Sequence, residues 1–149
     1  MRYDSLFRLC DLYSIEEVKT QYLRLMTYFT EAPDINLELF LRSMDKIERN
    51  GYIEIAYTVE DGKLFIHGAA TIFYETKLSH GCKKVGHIDD VVVSPNYRDQ
   101  GIGVTLVNRL KRGAAETCYK IIVNCKESHI PFFEKCGIFQ NGVHMRHYF

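Results

Sequence analysis

The chain has no surplus of charge of either sign: 19 lysines and arginines stand against 19 aspartates and glutamates in 149 residues. A phosphate backbone is held by an excess of basic side chains, so this balance argues against nucleic acid as the main partner. No stretch approaches the roughly 20 apolar residues of a membrane-spanning helix. The start, MRYDSLFRLCDL, carries Asp4 and Arg8 inside its apolar run and so lacks a signal-peptide core. A soluble, intracellular protein is the expectation, cytoplasmic by default with an organelle left open. Cys10, Cys82, Cys118, Cys125 and Cys136 are odd in number and contain no C-x-x-C pair, which reads as reduced thiols. The histidines, His67, His80, His87, His129, His144 and His147, show no H-E-x-x-H spacing, and no metal is expected. Repeats, linkers and low-complexity tracts are missing too. Residues 1–149 read as a single domain.

What is present is a globular composition, 46% hydrophobic and 26% charged, with changing periodicity. Residues 4–10 read as a short first strand with Leu6, Phe7 and Leu9 as its apolar members. Ser14, with Glu17 three residues on, has the form of a capping box. Ile15, Val18, Tyr22, Leu25, Met26 and Phe29 then recur at helical spacing until Pro33-Asp34. A second helix starts from Asn36, with Leu37, Phe40, Leu41, Met44 and Ile47 on one side, and Asn50-Gly51 stops it. From Tyr52 the period is that of strands. YIEIAYTV and LFIHGAATIFYE flank Asp61-Gly62 as a hairpin. A polar loop, KLSHGCKKVG, leads to the strand GHIDDVVV. A helix with Val104, Val107, Leu110 and Ala114 on its buried face follows, and then the strand YKIIVNC. The last elements are a helix that Ser128 can cap and Gly137 ends, and the run GVHMRHYF, which alternates like a terminal strand. The fold class is α/β with a mixed sheet, in which a right-handed crossover makes GHIDDVVV and YKIIVNC parallel neighbours.

Between GHIDDVVV and its helix stands Tyr97-Arg98-Asp99-Gln100-Gly101-Ile102-Gly103. Glycines are poor helix openers, so their presence needs a reason. One reading is a sharp turn without a ligand. The other is an anion site made of backbone, because a helix N-terminus offers unpaired N–H groups and partial positive charge. A dinucleotide fingerprint would want a third glycine where Leu106 stands, and a P-loop would want Gly-Lys-Ser/Thr where the chain has Gly103-Val104-Thr105. Asp89 and Asp90 are two adjacent acids at the end of an apolar strand, costly to desolvate unless something uses them. Strand alternation sends them to opposite faces unless a β-bulge re-aims one.

The R-x-x-G-x-G pattern over Arg98–Gly103 resembles the acetyl-CoA pyrophosphate loop of the GCN5-related N-acetyltransferase (GNAT) superfamily. GHIDDVVVSPNYRDQGIG, CYKIIVNC and FFEKCGI, spanning roughly residues 85–145, resemble the glucosamine-6-phosphate N-acetyltransferases. The resemblance implies an α+β fold with a mostly antiparallel mixed sheet and flanking helices. It implies acetyl-CoA as co-substrate, with the pyrophosphate on the amides of Arg98, Asp99, Gln100, Gly101, Ile102 and Gly103. The pantetheine arm would pair along Val91, Val92 and Val93, and Phe133 and Lys135 would lie on the coenzyme side. The implied reaction is direct attack of the glucosamine 6-phosphate amine on the thioester in a ternary complex. N-acetylglucosamine 6-phosphate results, a step toward UDP-N-acetylglucosamine.

By position in the family's motifs, Asp89 and Asp90 are the implied catalytic pair and also meet the sugar. Thr30, Lys77, His80, Tyr119 and Lys120 fall in segments that meet the phosphate and sugar. The family site is completed in a homodimer by exchange of the C-terminal strand. Four positions depart from the pattern. Asp89 stands in place of a family glutamate that meets the sugar and is one methylene shorter. Phe133 stands in place of a tyrosine that protonates the leaving thiolate, so Tyr119, Tyr148, water or an unprotonated thiolate must serve instead. Tyr148 stands near a phosphate-gripping arginine, for which Arg146 is the replacement candidate. Asn124 stands where relatives carry an acid. Two other functions stay open: the same fold acting on an amino acid, polyamine or protein N-terminus, and a catalytically weakened module that only binds acetyl-CoA.

Overall fold

The computed structural model describes residues 1–149. Five strands lie in the sheet in the order in which the chain makes them: β1 (Arg2–Ser5), β2 (Gly51–Glu60), β3 (Lys63–Thr76), β4 (Lys84–Val93) and β5 (Cys118–Val123). The first four are mutually antiparallel, and β5 runs parallel to β4. Helices α1 (Leu6–Leu12), α2 (Ile15–Met26) and α3 (Leu37–Glu48) precede β2, α4 (Ile102–Ala114) connects β4 to β5, and α5 (Ile130–Lys135) follows β5.

Strand alternation divides the core between the two faces of the sheet. Leu9, Val18, Leu25, Phe40 and Met44 of the first three helices pack with Ile53, Ile55, Ala69 and Val92. Leu106, Val107 and Leu110 of α4 and Phe133 of α5 pack with Ala56, Ala70, Ile72 and Ile88. The hairpin read from Asp61-Gly62 is present. Both residues take positive φ (49° and 76°), the twist that a two-residue turn between strands requires. Asn36 caps α3 by accepting the Leu39 N–H at 2.8 Å. Gly137, at φ 70°, ends α5 in a Schellman arrangement: the Gly137 N–H donates to the Glu134 carbonyl and the Ile138 N–H to the Phe133 carbonyl.

Five expectations are corrected. Residues 4–10 are not one strand, because the chain turns helical at Leu6. The Ser5 side chain accepts the Arg8 N–H at 3.2 Å, and Leu6 and Leu9, one turn apart, are both buried. Ser14 forms no capping box and makes no side-chain cap bond to α2. Gly51 is no left-handed helix terminator. It opens β2, where an added Cβ would lie 1.9 Å from the Ile72 carbonyl oxygen, so glycine is there for close strand approach. Ser128 does not cap α5, since it sits inside a 3₁₀ turn over Glu127–His129 that precedes that helix. Finally, GVHMRHYF is not a strand. Val143 and Met145 are 91% and 87% exposed. Alternation alone does not hold a strand that has no hydrogen-bonding neighbour and no face to bury.

Candidate active site

At the carboxyl end of β4 the ladder with β3 slips. Thr71 pairs with Asp89 and Ala69 with Val92, so two residues of β4, Asp90 and Val91, stand against Ala70 alone. This is a β-bulge, the one feature that could break the strand alternation of the two adjacent acids. Asp90 takes φ 50°, a left-handed conformation uncommon for a residue with a side chain, and its N–H donates to Oδ1 of Asp89 at 2.9 Å. The bulge breaks the alternation. Asp90 lies within electrostatic reach of Tyr22 on α2, while Val91 joins the apolar cluster under α4. Burial first, and then the neighbouring charge of Asp89, raise the Asp90 carboxyl above the usual carboxylate range.

Pairing between β4 and β5 covers only Lys84 to Ile88, where Ile88 meets Val123. Beyond that point the strands part. The β5-facing edge of Asp89–Val93 is left without a strand neighbour, which leaves Val91, Val92 and Val93 able to take an extended ligand as an added strand.

The loop that follows is shaped by three features. Asp99 and Gly101 both have positive φ (59° and 76°), which turns the chain sharply into α4. None of the amides from Asp99 to Val104 donates to a backbone carbonyl, and the first bond of the helix is the Thr105 N–H to the Gly101 carbonyl at 2.9 Å. Arg98 is tied back through its Nε to the Val93 carbonyl at 3.1 Å. The two glycines have different reasons. Gly101 provides the left-handed turn, with open space where a Cβ would be. At Gly103 a Cβ would come within 3.0 Å of the Phe132 ring. The α5 segment therefore braces the loop from behind, and six consecutive amides at a helix N-terminus have no backbone partner, which suits an anion with several oxygens.

The remaining candidates fall into separate groups. His80 stacks on Tyr119 with ring centroids 4.0 Å apart, and Lys120 Nζ lies 5.5 Å from the Tyr119 ring centroid. His80, Gly81 and Cys82 form a 3₁₀ turn with positive φ throughout. Lys77 is ion-paired with Glu75, whose other oxygen is 3.0 Å from His87 Nε2. These partners hold Glu75 below its ordinary range, Lys77 contributing more than His87. Thr30 is exposed in the turn after α2. Phe133 is 7% exposed, inside the cluster under α4, with Phe132 edge-on at 4.9 Å, while Lys135 is exposed at the end of the same helix. Arg146 lies in the exposed tail, donating to the Tyr148 hydroxyl at 2.7 Å.

One chain thus brings Asp89, Asp90, the β4 edge and the glycine loop to one end of β4, and His80, Tyr119 and Lys120 to the other. Lys120 is in register with Val85, four residues or about 13 Å along the strand from Asp89. Sequence reasoning missed the contacts under the bulge. Tyr22 counted only as one apolar position of a helix, and Thr71 as part of a strand; no local signal marks a meeting that depends on α2 lying across β3 and β4.

Comparison with known proteins agrees with this geometry. The Acetyltransferase (GNAT) family profile matches residues 11–138. The glucosamine 6-phosphate N-acetyltransferase 1 of Dictyostelium discoideum is 33% identical over 138 residues, covering 90% of this chain and 86% of that protein. The crystal structure of the glucosamine-6-phosphate N-acetyltransferase of Arabidopsis thaliana superposes with a TM-score of 0.82 at 25% identity, over 99% of this chain and 97% of that one. An acetyltransferase of Trypanosoma brucei gives 0.84 at 27% identity, over 99% of each chain.

Proposed function

Since the chain belongs to the Acetyltransferase (GNAT) family, and within it to the glucosamine 6-phosphate N-acetyltransferases, we propose that it acetylates the 2-amino group of glucosamine 6-phosphate with acetyl-CoA. The observation that carries the reading is the run of free amides from Asp99 to Val104 beside an unpaired β4 edge. The amides of Asp99 through Gly103 serve the diphosphate, while the Arg98 N–H already donates to the Pro95 carbonyl at 3.4 Å, and Val91, Val92 and Val93 serve the pantetheine arm. The acyl carbon then lies near the bulge. There the amine nitrogen forms its bond to the acetyl carbon as the carbon–sulfur bond breaks, and coenzyme A leaves as its thiolate.

Asp89 and Asp90 are the groups for the amine. A carboxyl of raised pKa is the better proton acceptor, and the bulge holds it close to the carboxyl end of β4. Thr30, Lys77, His80, Tyr119, Lys120 and Arg146 are assigned to the sugar phosphate. The separation of the His80–Tyr119–Lys120 stack from Asp89 supports a site shared between two copies of the chain, and so do the exposed apolar side chains of the tail. In that homodimer the exchanged tail brings Arg146 to the partner's site. Residues 1–149 act as one catalytic domain. Five free cysteines suit a reducing cytoplasm; no helix is long and apolar enough to cross a membrane.

The test is thiol release from acetyl-CoA with a panel of amines. Glucosamine 6-phosphate should be turned over far ahead of glucosamine, amino acids and polyamines. Faster turnover of another amine, or coenzyme binding without turnover of any, would remove the sugar assignment.

A further inference from the structure

The ladder between β2 and β3 slips once as well. Gly68 pairs with Ala56 and Ile66 with Tyr57, which leaves His67 of β3 as an extra residue with no partner across the sheet. Bulges of this kind re-aim a side chain, and this one sets the His67 ring against the start of the glycine loop. The imidazole is stacked on the Tyr97 ring, with centroids 3.8 Å apart and 23° between the planes. Its Nε2 is 2.7 Å from Oγ1 of Thr58 on the neighbouring strand, and the His67 carbonyl accepts the Ser94 N–H at 2.8 Å. His67 is 7% exposed, and burial holds its imidazole below the ordinary range against a weaker opposing effect of Glu60, so the ring is neutral at pH 7. Tyr97 ends the 3₁₀ turn Pro95–Tyr97, packs against the core under α4 and directly precedes Arg98. The six amides from Asp99 to Val104 have no backbone partner, so their placement depends on the two feet of the loop. Gly103 against Phe132 is one foot, and Tyr97 on His67 is the other.

We infer that His67 is a positioning residue for coenzyme binding: held by Thr58 and by the backbone of Ser94, it fixes through its stack on Tyr97 the turn from which the amides of Asp99 to Val104 are presented to the diphosphate. The inference rests on the proposed reading of that loop as the coenzyme site. Neither ring touches the coenzyme or a reacting atom in this scheme. A loop already held in its binding conformation loses little freedom when the ligand arrives, so the stack acts on affinity and leaves the acyl-transfer step alone.

His67→Gln keeps a polar group for the Thr58 hydroxyl and removes the ring, whereas His67→Phe keeps a ring and removes the hydrogen bond. Isothermal titration with coenzyme A should show a Kd raised about fivefold in His67→Gln and within about twofold of wild type in His67→Phe. Tyr97, half-buried, gives the same contrast from the other side of the contact, Tyr97→Leu behaving as the first variant and Tyr97→Phe as the second. Combining His67→Gln with Tyr97→Leu should add less than about twofold to either single loss, because both remove one contact. With glucosamine 6-phosphate as acceptor, KM for acetyl-CoA should rise in step with that Kd while kcat stays within about twofold. A lowered Tm with Kd unmoved in both ring-deleting variants, the pattern of a merely structural stack, overturns the inference. So does a His67→Phe protein that binds as weakly as His67→Gln, since the hydrogen bond and not the ring would then matter. A wild-type protein that does not bind coenzyme A sinks the reading of the loop instead, and amide nitrogen-15 spectra of the free proteins still decide the role of the stack. There the signals of Asp99 through Val104 should move in His67→Gln and stay in His67→Phe, and signals that stay in both overturn it.

Discussion

Gly101→Ala separates what the glycine loop needs for itself from what a ligand needs. Gly101 sits at φ 76°, and a Cβ added there meets nothing within 4 Å. In the free protein the cost is conformational alone, about 1 kcal/mol for a left-handed alanine, or a Tm lower by about 2–4 °C in a chain of this length. The methyl enters open space beside six unpaired amides. If a diphosphate occupies that space, the methyl displaces it from at least two charge-assisted hydrogen bonds of about 1.5–3 kcal/mol each. Coenzyme A binding should then weaken by about 100-fold or more, which isothermal titration reads directly while a thermal melt reads the conformational cost. A Tm drop of the expected size with a Kd for coenzyme A within about threefold of wild type would refute the reasoning, since the amides would then face nothing.

Asp90→Asn tests the raised carboxyl. Its folded-state pKa lies above the unfolded value of 3.8, so the stability it contributes is present below that value and lost as pH rises through the folded one. Replacing it with asparagine, which tolerates the left-handed conformation, should raise Tm at pH 7 by no more than about 3 °C, leave Tm at pH 3 unchanged and abolish turnover. A lower Tm at pH 7 would contradict the sign. Phe133→Tyr places a hydroxyl in the apolar cluster under α4, at a cost of about 1–3 kcal/mol. Its Tm should fall with turnover unimproved, whereas faster turnover at unchanged Tm would show that the new hydroxyl reaches the departing sulfur. Arg109→Leu leaves the Glu54 carboxylate, whose side chain is 7% exposed, without its cation. Urea unfolding should show a loss of about 3 kcal/mol, and a loss below about 1 kcal/mol would mean that water reaches Glu54.

The elements that carry the candidate site were legible because their chemistry is local. Asp61-Gly62 selects its own turn, GHIDDVVV has the composition of a buried strand, and two glycines opening α4 mark a sharp strand-to-helix turn. The adjacent pair Asp89-Asp90 left open whether the acids sit on opposite faces or a bulge re-aims one, and the shifted register between β3 and β4 decides for the bulge. The failures are cases in which a partner distant in sequence decides. Leu6, Phe7 and Leu9 fit a strand or a helix equally over so few residues, and the Ser5 cap with burial of Leu6 and Leu9 settles it. Gly51 looked like a helix stop because nothing in its own segment shows the Ile72 carbonyl pressing against it. Gly103 needs no Cβ for the sake of Phe132, 29 residues away. The alternation of GVHMRHYF gives a strand period but no neighbour to pair with. Tyr22 and Thr71 were invisible for the same reason, since each looks ordinary in its own element.

The central claim is that the amides past Arg98 hold the acyl donor. Amide nitrogen-15 spectra of the protein titrated with coenzyme A test it at the atoms concerned. The account predicts that the signals of Asp99 through Val104 shift most, together and saturably, with those of Val91 and Val93 following as the pantetheine arm pairs. Coenzyme A binding that leaves those six amides unmoved would contradict it.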